Sequence, residues 1–378
     1  MTGPGGVPVL LVVDPGPMAT VQDAGRWGLG ALGVPGGGAA DPGSLEIANT
    51  LLGNEPGAAA LEITLGGTAF RALARITVAL AGADLGATAG PGSGSGGSGV
   101  GPGSGAGAAP GAGSAGVRIT PGTTIDLREG DVLRFAGRVR GARAYLALPG
   151  GIAVPEVLGS RSTDVRAGFG GLDGRALREG DEVRAAGETG VRAAGETGVR
   201  AAGATGVRAT GAPLIRPPAR WSGPETAAGP LVRVIAGPHA HLAGPSALEL
   251  LAATAWTVGS ASDRMGLRLA GDPLPSPPGE LPTLGVLPGV VQLPPDGRPI
   301  ILLADCQPTG GYPVIAVVAR VDRASLGQLA PGDRLQFEVV DAAMALELHA
   351  ARARDLDAAR AHLLDAARWD ALWHGAGG

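Results

Sequence analysis

Glycine and proline together make up 100 of the 378 residues, 68 and 32 respectively, and they recur at short intervals along most of the chain. Proline removes a backbone donor and fixes φ, while glycine costs about 1 kcal/mol in a helix interior relative to alanine. A chain interrupted this often has room for short strands and turns but for few long helices. Between the breaks, β-rich runs recur at Val9–Val13, Leu61–Leu65, Ile76–Leu80, Tyr145–Leu148, Leu231–Ile235, Ile300–Leu303, Val314–Val321 and Leu335–Val340. Turn clusters separate them, the pattern of a sandwich or barrel.

One turn occurs three times: "LREGDVLRF" from Leu127, "LREGDEVRA" from Leu177 and "LAPGDRLQF" from Leu329. Each Gly-Asp pair is expected to launch a strand, with glycine at positive φ and the aspartate bonding the turn backbone. Helical stretches are few. "DPGSLEIANTLLGN" offers a cap at Asp41, apolar residues three and four apart, and a stop at Gly53. "SALELLAA" from Ser246 is shorter. The stretch from Asp341 to His374 carries a narrow stripe of Leu356, Ala359, Leu363 and Ala367, which reads as a surface helix or a partner contact. The expected fold is mainly β, with few short helices and a C-terminal helical tail.

Two segments break the pattern. From Gly90 to Gly116, 13 of 27 residues are glycine. That composition cannot bury apolar surface and predicts a flexible insert, drawn at 87–117. The octapeptide "VRAAGETG" starts at Val183 and Val191 and degenerates at Val199 and Val207. Eight residues match neither a helical nor a heptad period and are too few for a solenoid unit. The expected division is a first β half over 1–182, a repeat and Pro-rich linker over 183–229, a second β half over 230–340 and a tail over 341–378.

Composition excludes several classes of function. Net charge is −4, with no aromatic-basic platform and no polybasic run, so neither nucleic acid nor a membrane surface is an expected partner. No apolar stretch approaches the roughly 18 residues of a membrane span. The opening "MTGPGGVPVLLVVDPGP" lacks a basic leader and reads as a first strand, so a cytoplasmic location is expected. One cysteine, Cys306, precludes an internal disulfide and a Cys-rich zinc site. All 30 basic residues are arginine. Without lysine the chain has no Walker A loop, no Schiff-base site and no attachment point for biotin.

Three polar clusters fall in turns. The first, "TVQDAGRWGLGALGVPGGGAADPGS", presents Gln22, Asp23, Arg26 and Asp41 around a glycine-dense loop. Glycines let backbone N–H groups approach an anion and arginine adds a bidentate fork, yet a tight turn series capped at Asp41 fits equally well. The second, "LGSRSTDVRAGFGGLDGRAL", holds Arg161, Ser162, Thr163, Asp164 and Arg166. It suits a carboxylate-like anion or a solvated hairpin with weak salt bridges. The third joins "SDRMG", with Asp263 and Arg264, to "ADCQPTGGYP", with Asp305, Gln307, Thr309 and Tyr312.

Nucleophile tests fail. No G-x-S-x-G elbow exists, and no histidine is signalled as a base for Cys306. His239 and His241 form a His-x-His pair without an accompanying carboxylate motif, so no metal site is expected and local bonding in a turn is.

These clusters, in this order, make the chain similar to the biotin-dependent carboxyltransferase or allophanate hydrolase subunit 2-like family, of the C-type 5-oxoprolinase subunits. The resemblance runs from the first cluster through "LEITLGG", "AYLALPGGIAVPEVLGSRSTDVRAGFGGLDGRALREGD", "SDRMGLRLAG" and "GVLPGVVQLPPDGRPIILLADCQPTGGYPVIAVVARVDRASLGQLAPGDRLQFEVV", covering most of residues 9–340. Relatives commonly read "GVPRSGAMD" where this chain has Gly36, Gly37 and Ala40, and "ADRQTTGGYP" where it has Cys306 and Pro308. Many read "SEGVVPGAIQ" where it has Thr283 and Leu284, losing an acidic position.

The resemblance implies two cyclophilin-like β-barrel halves. It also implies one component of a hetero-oligomeric hydrolase, working with a sister protein of the B type and a third protein of the A type. Such a complex opens the lactam of 5-oxoproline to glutamate with ATP. The resemblance implies ATP as cofactor and leaves open which protein holds it, with binding by, or sharing with, a partner protein among the alternatives. The alternatives are a carboxyltransferase module of a urea or amide carboxylase, with biotin on another protein, and a non-catalytic regulator that binds the sister protein. The roles expected on this basis are anion stabilisation by Arg26, Arg161 and Arg264, and orientation or proton handling by Asp23, Asp263 and Asp305. Substrate contacts are expected from Gln22, Asp41, Ser162, Thr163, Gln307, Thr309 and Tyr312, with Cys306 a bystander.

Overall fold

The computed structural model describes residues 5–92, 116–187, 208–210, 225–226, 229–276 and 281–375, and the chain is mainly β. Each of the eight β-rich runs overlaps a strand. In the first half, one six-stranded sheet orders Glu182–Ala185, Val7–Pro15, Thr68–Ala72, Asp131–Phe135, Ala87–Pro91 and Val117–Arg118. A second orders Arg208–Thr210, Thr123–Leu127, Ile76–Asp84, Arg140–Ala147, Ala60–Thr64 and Met18–Gln22. One aliphatic core lies between them, where Leu10, Phe70 and Leu133 from one sheet join Leu61, Ile76 and Leu146 from the other. Phe70 and Phe135 meet edge to face, with ring centres 6.3 Å apart.

The second half closes on itself. Gly229–Ala236, Val314–Val318, Val290–Gln292, Ile300–Leu302, Gly266–Ala270, Trp256–Val258 and Arg334–Val339 follow one another around a barrel, and the last pairs in parallel with the first. Closure gives each strand of the ring a neighbour on both sides. Val232, Leu251, Trp256, Ile301 and Leu335 fill its interior.

The recurrent Gly-Asp turn has the same form at all three places. Gly130, Gly180 and Gly332 have φ of 87°, 87° and 89°. Asp131, Asp181 and Asp333 accept from the backbone N–H of Arg128, Arg178 and Ala330 at 2.8, 2.7 and 2.8 Å.

Two expected boundaries shift. Ala87–Pro91 is a paired strand with Ala87 and Ala89 buried, so the Gly-rich insert begins later than residue 87. The first copy of the octapeptide starts inside the fold: Val183 and Ala185 point into the core from a strand paired with Val7–Pro15. Alternation of apolar residues decides this, since "EVRA" has the period of two that a strand requires. Most of the Gly-rich and octapeptide segments lies outside the described residues, as do the side chains of Ala359, Leu363 and Ala367. The tail is the helix Ala342–Gly375, and none of the described helices is long and apolar enough to cross a membrane.

The run Val314–Val321 ends as a strand at Val318 and turns into a 3₁₀ helix, Arg320–Asp322. The turn puts Asp322 beneath Arg233. Its carboxylate accepts from Arg233 N and Nε at 2.8 Å each and from Nη2 at 2.5 Å, with Asp322 only 2% exposed. Removing one partner of such a pair strands a buried charge at a cost of about 3–5 kcal/mol. Asp322→Ala should therefore lower the urea midpoint steeply, whereas Glu182→Ala, whose carboxylate is exposed and 3.5 Å from Arg184, should leave it nearly unchanged.

Candidate active site

The two halves meet along a polar seam. Gln328 from the second half donates to Asp41 Oδ2 at 2.8 Å and accepts from the backbone of Ala142 and Arg143 at 3.0 and 3.1 Å. Arg143 Nη1 donates to Gly327 O at 2.5 Å, and Arg138 reaches Asp333 at 2.6 Å. Gly37 N donates to Ala304 O at 3.1 Å, and Arg166 reaches across to Met265.

At the centre of the seam lies Arg264. Its Nε and Nη2 form a fork onto Asp305 at 2.7 and 2.9 Å, Nη2 also bonds Gly38 O at 2.6 Å, and Nη1 bonds Glu62. Glu62 is 1% exposed and accepts in addition from Tyr145 Oη at 2.7 Å and Ala40 N at 2.9 Å, with Arg143 Nε 3.4 Å away. Burial alone would raise the Glu62 carboxyl; Arg264 and Arg143 outweigh it and hold the group below the usual range. Burial disfavours the Arg264 charge, but Glu62 and Asp305 overcome it and raise its pKa.

Beside this clamp the loop that follows strand Met18–Gln22 folds onto the loop 160–171. Asp23 accepts from Ser160 Oγ at 2.6 Å, from the N–H groups of Arg161 and Gly25 at 2.5 and 2.8 Å, and from Ser162 Oγ. Burial opposes ionisation, yet these four donors keep the carboxyl below its ordinary value. Gly25 and Gly38 both have positive φ and pack backbone to backbone: a Cβ on Gly38 would lie 2.9 Å from Gly25 Cα. No other residue type fits this crossing.

Arg26 is 2% exposed and stacks on Phe169, 4.7 Å from the ring centre. Its Nη2 donates to Ser162 O at 2.5 Å, while Nε and Nη1 have no acceptor among the described residues. Burial disfavours its charge and lowers its pKa; Asp23, Asp164 and Asp305, none of them bonded to it, offset that only in part. Gly37, having no side chain, packs its backbone where these groups converge. A Cβ there would sit 3.1 Å from Arg26 Nη1 and 4.0 Å from Asp305 Oδ1. Burial, ahead of the opposing pull of Arg264, pushes the Asp305 carboxyl up.

Of the residues singled out from the sequence, Asp23, Arg26, Ser162, Arg264 and Asp305 come together here. Gln22 and Thr163 lie behind them, fully buried, with Gln22 Nε2 donating to Thr163 O at 3.2 Å and Thr163 Oγ1 to Val21 O at 2.9 Å. Asp41 caps the helix Pro42–Leu51, accepting from Ser44 N at 3.1 Å. The expected anion contact from Arg161 is not formed by its side chain, which turns outward to Val154 O and Glu156; its backbone N–H is what serves Asp23. Asp263 is exposed and closes its own turn onto the N–H groups of Met265 and Gly266. Thr309 pairs with Gly285 in a two-stranded ribbon, Gln307 is half-buried beside it, and Tyr312 is 45% exposed.

Glu62, Tyr145, Arg143 and Phe169 were not among the candidates. Glu62 carried a signal, as the one acidic residue in the apolar run "ALEIT". Cys306 belongs to a small core with Val286, Val290, Leu302 and Val314, and burial pushes its thiol up to about 12. His239 Nδ1 accepts from Val314 N at 3.0 Å, a bond to the neighbouring strand 75 residues on in place of the local turn bond expected, and the described residues hold no group of metal-ligating side chains.

The profile of the family described as "Carboxyltransferase domain, subdomain A and B" matches residues 32–339. The C-type subunit of the 5-oxoprolinase of Escherichia coli is 32% identical over 331 residues, 87% of this chain and 90% of that protein. Its namesake from Haemophilus influenzae is 30% identical over 89% of this chain and 93% of its own length. The urea amidolyase of K. lactis superposes with a TM-score of 0.71 at 27% identity, covering 94% of this chain but only 20% of that larger one.

Three outcomes check this geometry. Glu62→Ala should cost about 3–5 kcal/mol in chemical denaturation, since it leaves Arg264 and Arg143 facing one another without their shared carboxylate. Because the Asp23 and Glu62 carboxyls are depressed in the fold, their contribution is complete above the ordinary carboxylate range near pH 4 and is lost as pH falls through their folded values. Stability measured against pH should drop on acidification with a shallower slope in Asp23→Asn. Cys306 should react with a thiol reagent only on unfolding, and a native-state rate matching that of free thiol would contradict its placement.

Proposed function

The chain belongs to the carboxyltransferase domain family, subdomains A and B, and from that membership and the Arg26 geometry we propose that it is one subunit of an ATP-dependent 5-oxoprolinase. The C-type 5-oxoprolinase relatives, matched over nine-tenths of their length, support this reading. In it the chain works in the cytoplasm with a B-type sister and an A-type protein, and the substrate is a small lactam.

One observation carries the site: on a buried guanidinium two nitrogens, Nε and Nη1, have no acceptor among the described residues, and they meet the Asp305 carboxylate across Gly37. Opening a lactam adds water oxygen to the carbonyl carbon, breaks the C–N bond and delivers a proton to the departing amine. Negative charge grows on the carbonyl oxygen in the transition state. Arg26 Nη1 and Nε are held ready for that charge by Phe169 and Ser162 O, and preorganised donors in a dry site are effective stabilisers. Asp305, pushed up by burial, receives the proton of the attacking water. Arg264 has no such freedom: Asp305, Glu62 and Gly38 occupy its donors, so it positions Asp305 and does not bind substrate. Ser162 and Asp23 likewise hold the Arg26 loop.

ATP does not fit this set of residues. The chain has no lysine and no phosphate loop, and the two free donors of Arg26 are flanked by Asp23, Asp164 and Asp305, which repel a triphosphate. The nucleotide belongs to a partner protein in this reading. A second reading, a carboxyltransferase module for a urea or amide substrate, is favoured by the superposition on urea amidolyase. Biotin would then arrive on another protein, since no lysine here can carry it.

The test is 5-oxoproline-dependent ADP release by the co-purified complex. Arg26→Gln should lower kcat by about two to three orders of magnitude while the complex stays assembled, the usual effect of losing an oxyanion donor. Full turnover by Arg26→Gln would remove Arg26 from the site. Turnover absent from the wild-type complex, but restored by a biotinylated carrier and blocked by avidin, would select the carboxyltransferase. No turnover in either assay, with the sister protein still bound, would leave the regulator.

A further inference from the structure

Arg26 Nε and Nη1 are shut off from solvent, and the backbone of Gly37 lies against Nη1, where a Cβ would come within 3.1 Å. A substrate reaches them only if part of the wall moves. Two loops make that wall. The loop 160–171 is bonded to itself and to the first half: Asp164 N donates to Phe169 O, Gly171 N to Arg161 O and Thr163 N to Val21 O, each at 2.9 Å. The other, 26–36, is an Ω-loop whose ends meet where Arg26 N donates to Gly36 O at 2.7 Å. Its base is fixed by Ala39 N on Asp23 O at 2.9 Å and by Arg264 on Gly38 O at 2.6 Å. Beyond the base it is weakly held. Leu32, Gly33 and Val34 donate to Leu29 and Gly30 within the loop, and most of residues 27–33 face solvent. Among the described residues, Gly37 N to Ala304 O at 3.1 Å is the hydrogen bond that ties residues 27–37 to the second half. Nearby, a Cβ on Gly30 would lie 3.8 Å from Pro308 Cβ.

We propose that residues 27–37 are a flap, closed in this structure, that swings away from Ala304 and Pro308 to admit substrate between Arg26 and Asp305; the identity of that substrate rests on the lactam reading given under the proposed function. A loop whose hydrogen bonds lie mostly within itself gives up few of them when it moves as a unit, which places it at the low-stability end of the fold. Gly28 and Gly37, at φ of 87° and 61°, stand at its two ends and can change φ and ψ without the clash a Cβ would bring. Trp27 makes the limbs move together: its ring lies 3.5 Å from the Cβ position of Gly36, and its Nε1 donates to Ala24 O at 2.8 Å. Closure over a bound substrate excludes water, which strengthens the pull of Arg26 on a developing negative charge. The loop 160–171 stays in place and keeps Arg26 aimed through Phe169 and Ser162 O.

A disulfide across the flap tests this. The Cβ separation at Gly30 and Pro308 suits one, so Gly30→Cys with Pro308→Cys should lock the flap when oxidised and release it when reduced, while buried Cys306 stays out of the exchange. The full chain is treated with methylglyoxal, which modifies accessible guanidinium groups, and each arginine is read by peptide mass spectrometry. In the reduced protein Arg26 should be labelled faster than Arg233, which is buried in the barrel and bonded to Asp322. Oxidation should slow Arg26 by about tenfold or more, as loss of a local opening does, and leave exposed Arg178 unchanged. Arg26 labelled no faster than Arg233, or equally fast with the disulfide formed, would overturn the flap. ADP release by the complex then separates the flap from the lactam reading. Turnover lost on oxidation and restored by reductant ties the flap to the reaction, and equal turnover in the oxidised complex rejects it as a gate. A wild-type complex without 5-oxoproline turnover rejects the lactam reading, and the labelling still decides the flap.

Discussion

The guanidinium of Arg264 is the contact around which the rest of the seam is arranged. It touches a strand of the first half through Glu62, the glycine loop through Gly38 and the second half through Asp305. Taking an ion pair out of water is costly, and it is sustained only where every donor and acceptor finds good geometry. Here each of the three guanidinium nitrogens bonds an acceptor and Glu62 is further held by Tyr145 and Ala40. Apolar packing of the same area would join the halves but would not fix their register. Bidentate hydrogen bonds do, because they tolerate little rotation.

From that register follows the relation between Arg26 and Asp305, which come from different halves and meet across Gly37. Three arginines illustrate how environment divides one residue type among roles. Arg264 has an acceptor at each of its three nitrogens and ties the halves together. Arg161 faces solvent, paired loosely with Glu156 at 3.4 Å, and its backbone matters more than its charge. Arg26 is buried with Nε and Nη1 lacking an acceptor among the described residues, a state that costs stability. In a chain whose basic residues are all arginine, nothing about residue type distinguishes the three.

Much of the β architecture was legible because alternation and Gly-Asp turns are local signals. The turns at Gly130, Gly180 and Gly332 need only their own few residues to form. The cap at Asp41 is local too. The site was legible in part: Asp23, Arg26, Arg264 and Asp305 stood out as polar residues in glycine-dense turns. Asp263 stood out for the same reason, yet it merely closes its own turn onto Met265 and Gly266. Glu62 and Tyr145 were hidden inside strands whose other residues are apolar, since a buried acid is recognisable only by the partners that neutralise it.

Residue order alone was enough for the mainly β fold, the two halves and the polar loops between strands, because period, turn chemistry and composition act over a few residues. It was also enough to exclude lysine chemistry from this chain. Folding in three dimensions was needed to show that Arg26 keeps two nitrogens without an acceptor among the described residues, that Cys306 is core, and that the tail helix applies Arg352 to the barrel. Those properties depend on residues up to 226 positions apart, as Gly38 and Arg264 are. Whether a donor is satisfied or orphaned is a property of the partners that folding brings to it, and no stretch of chain records that alone.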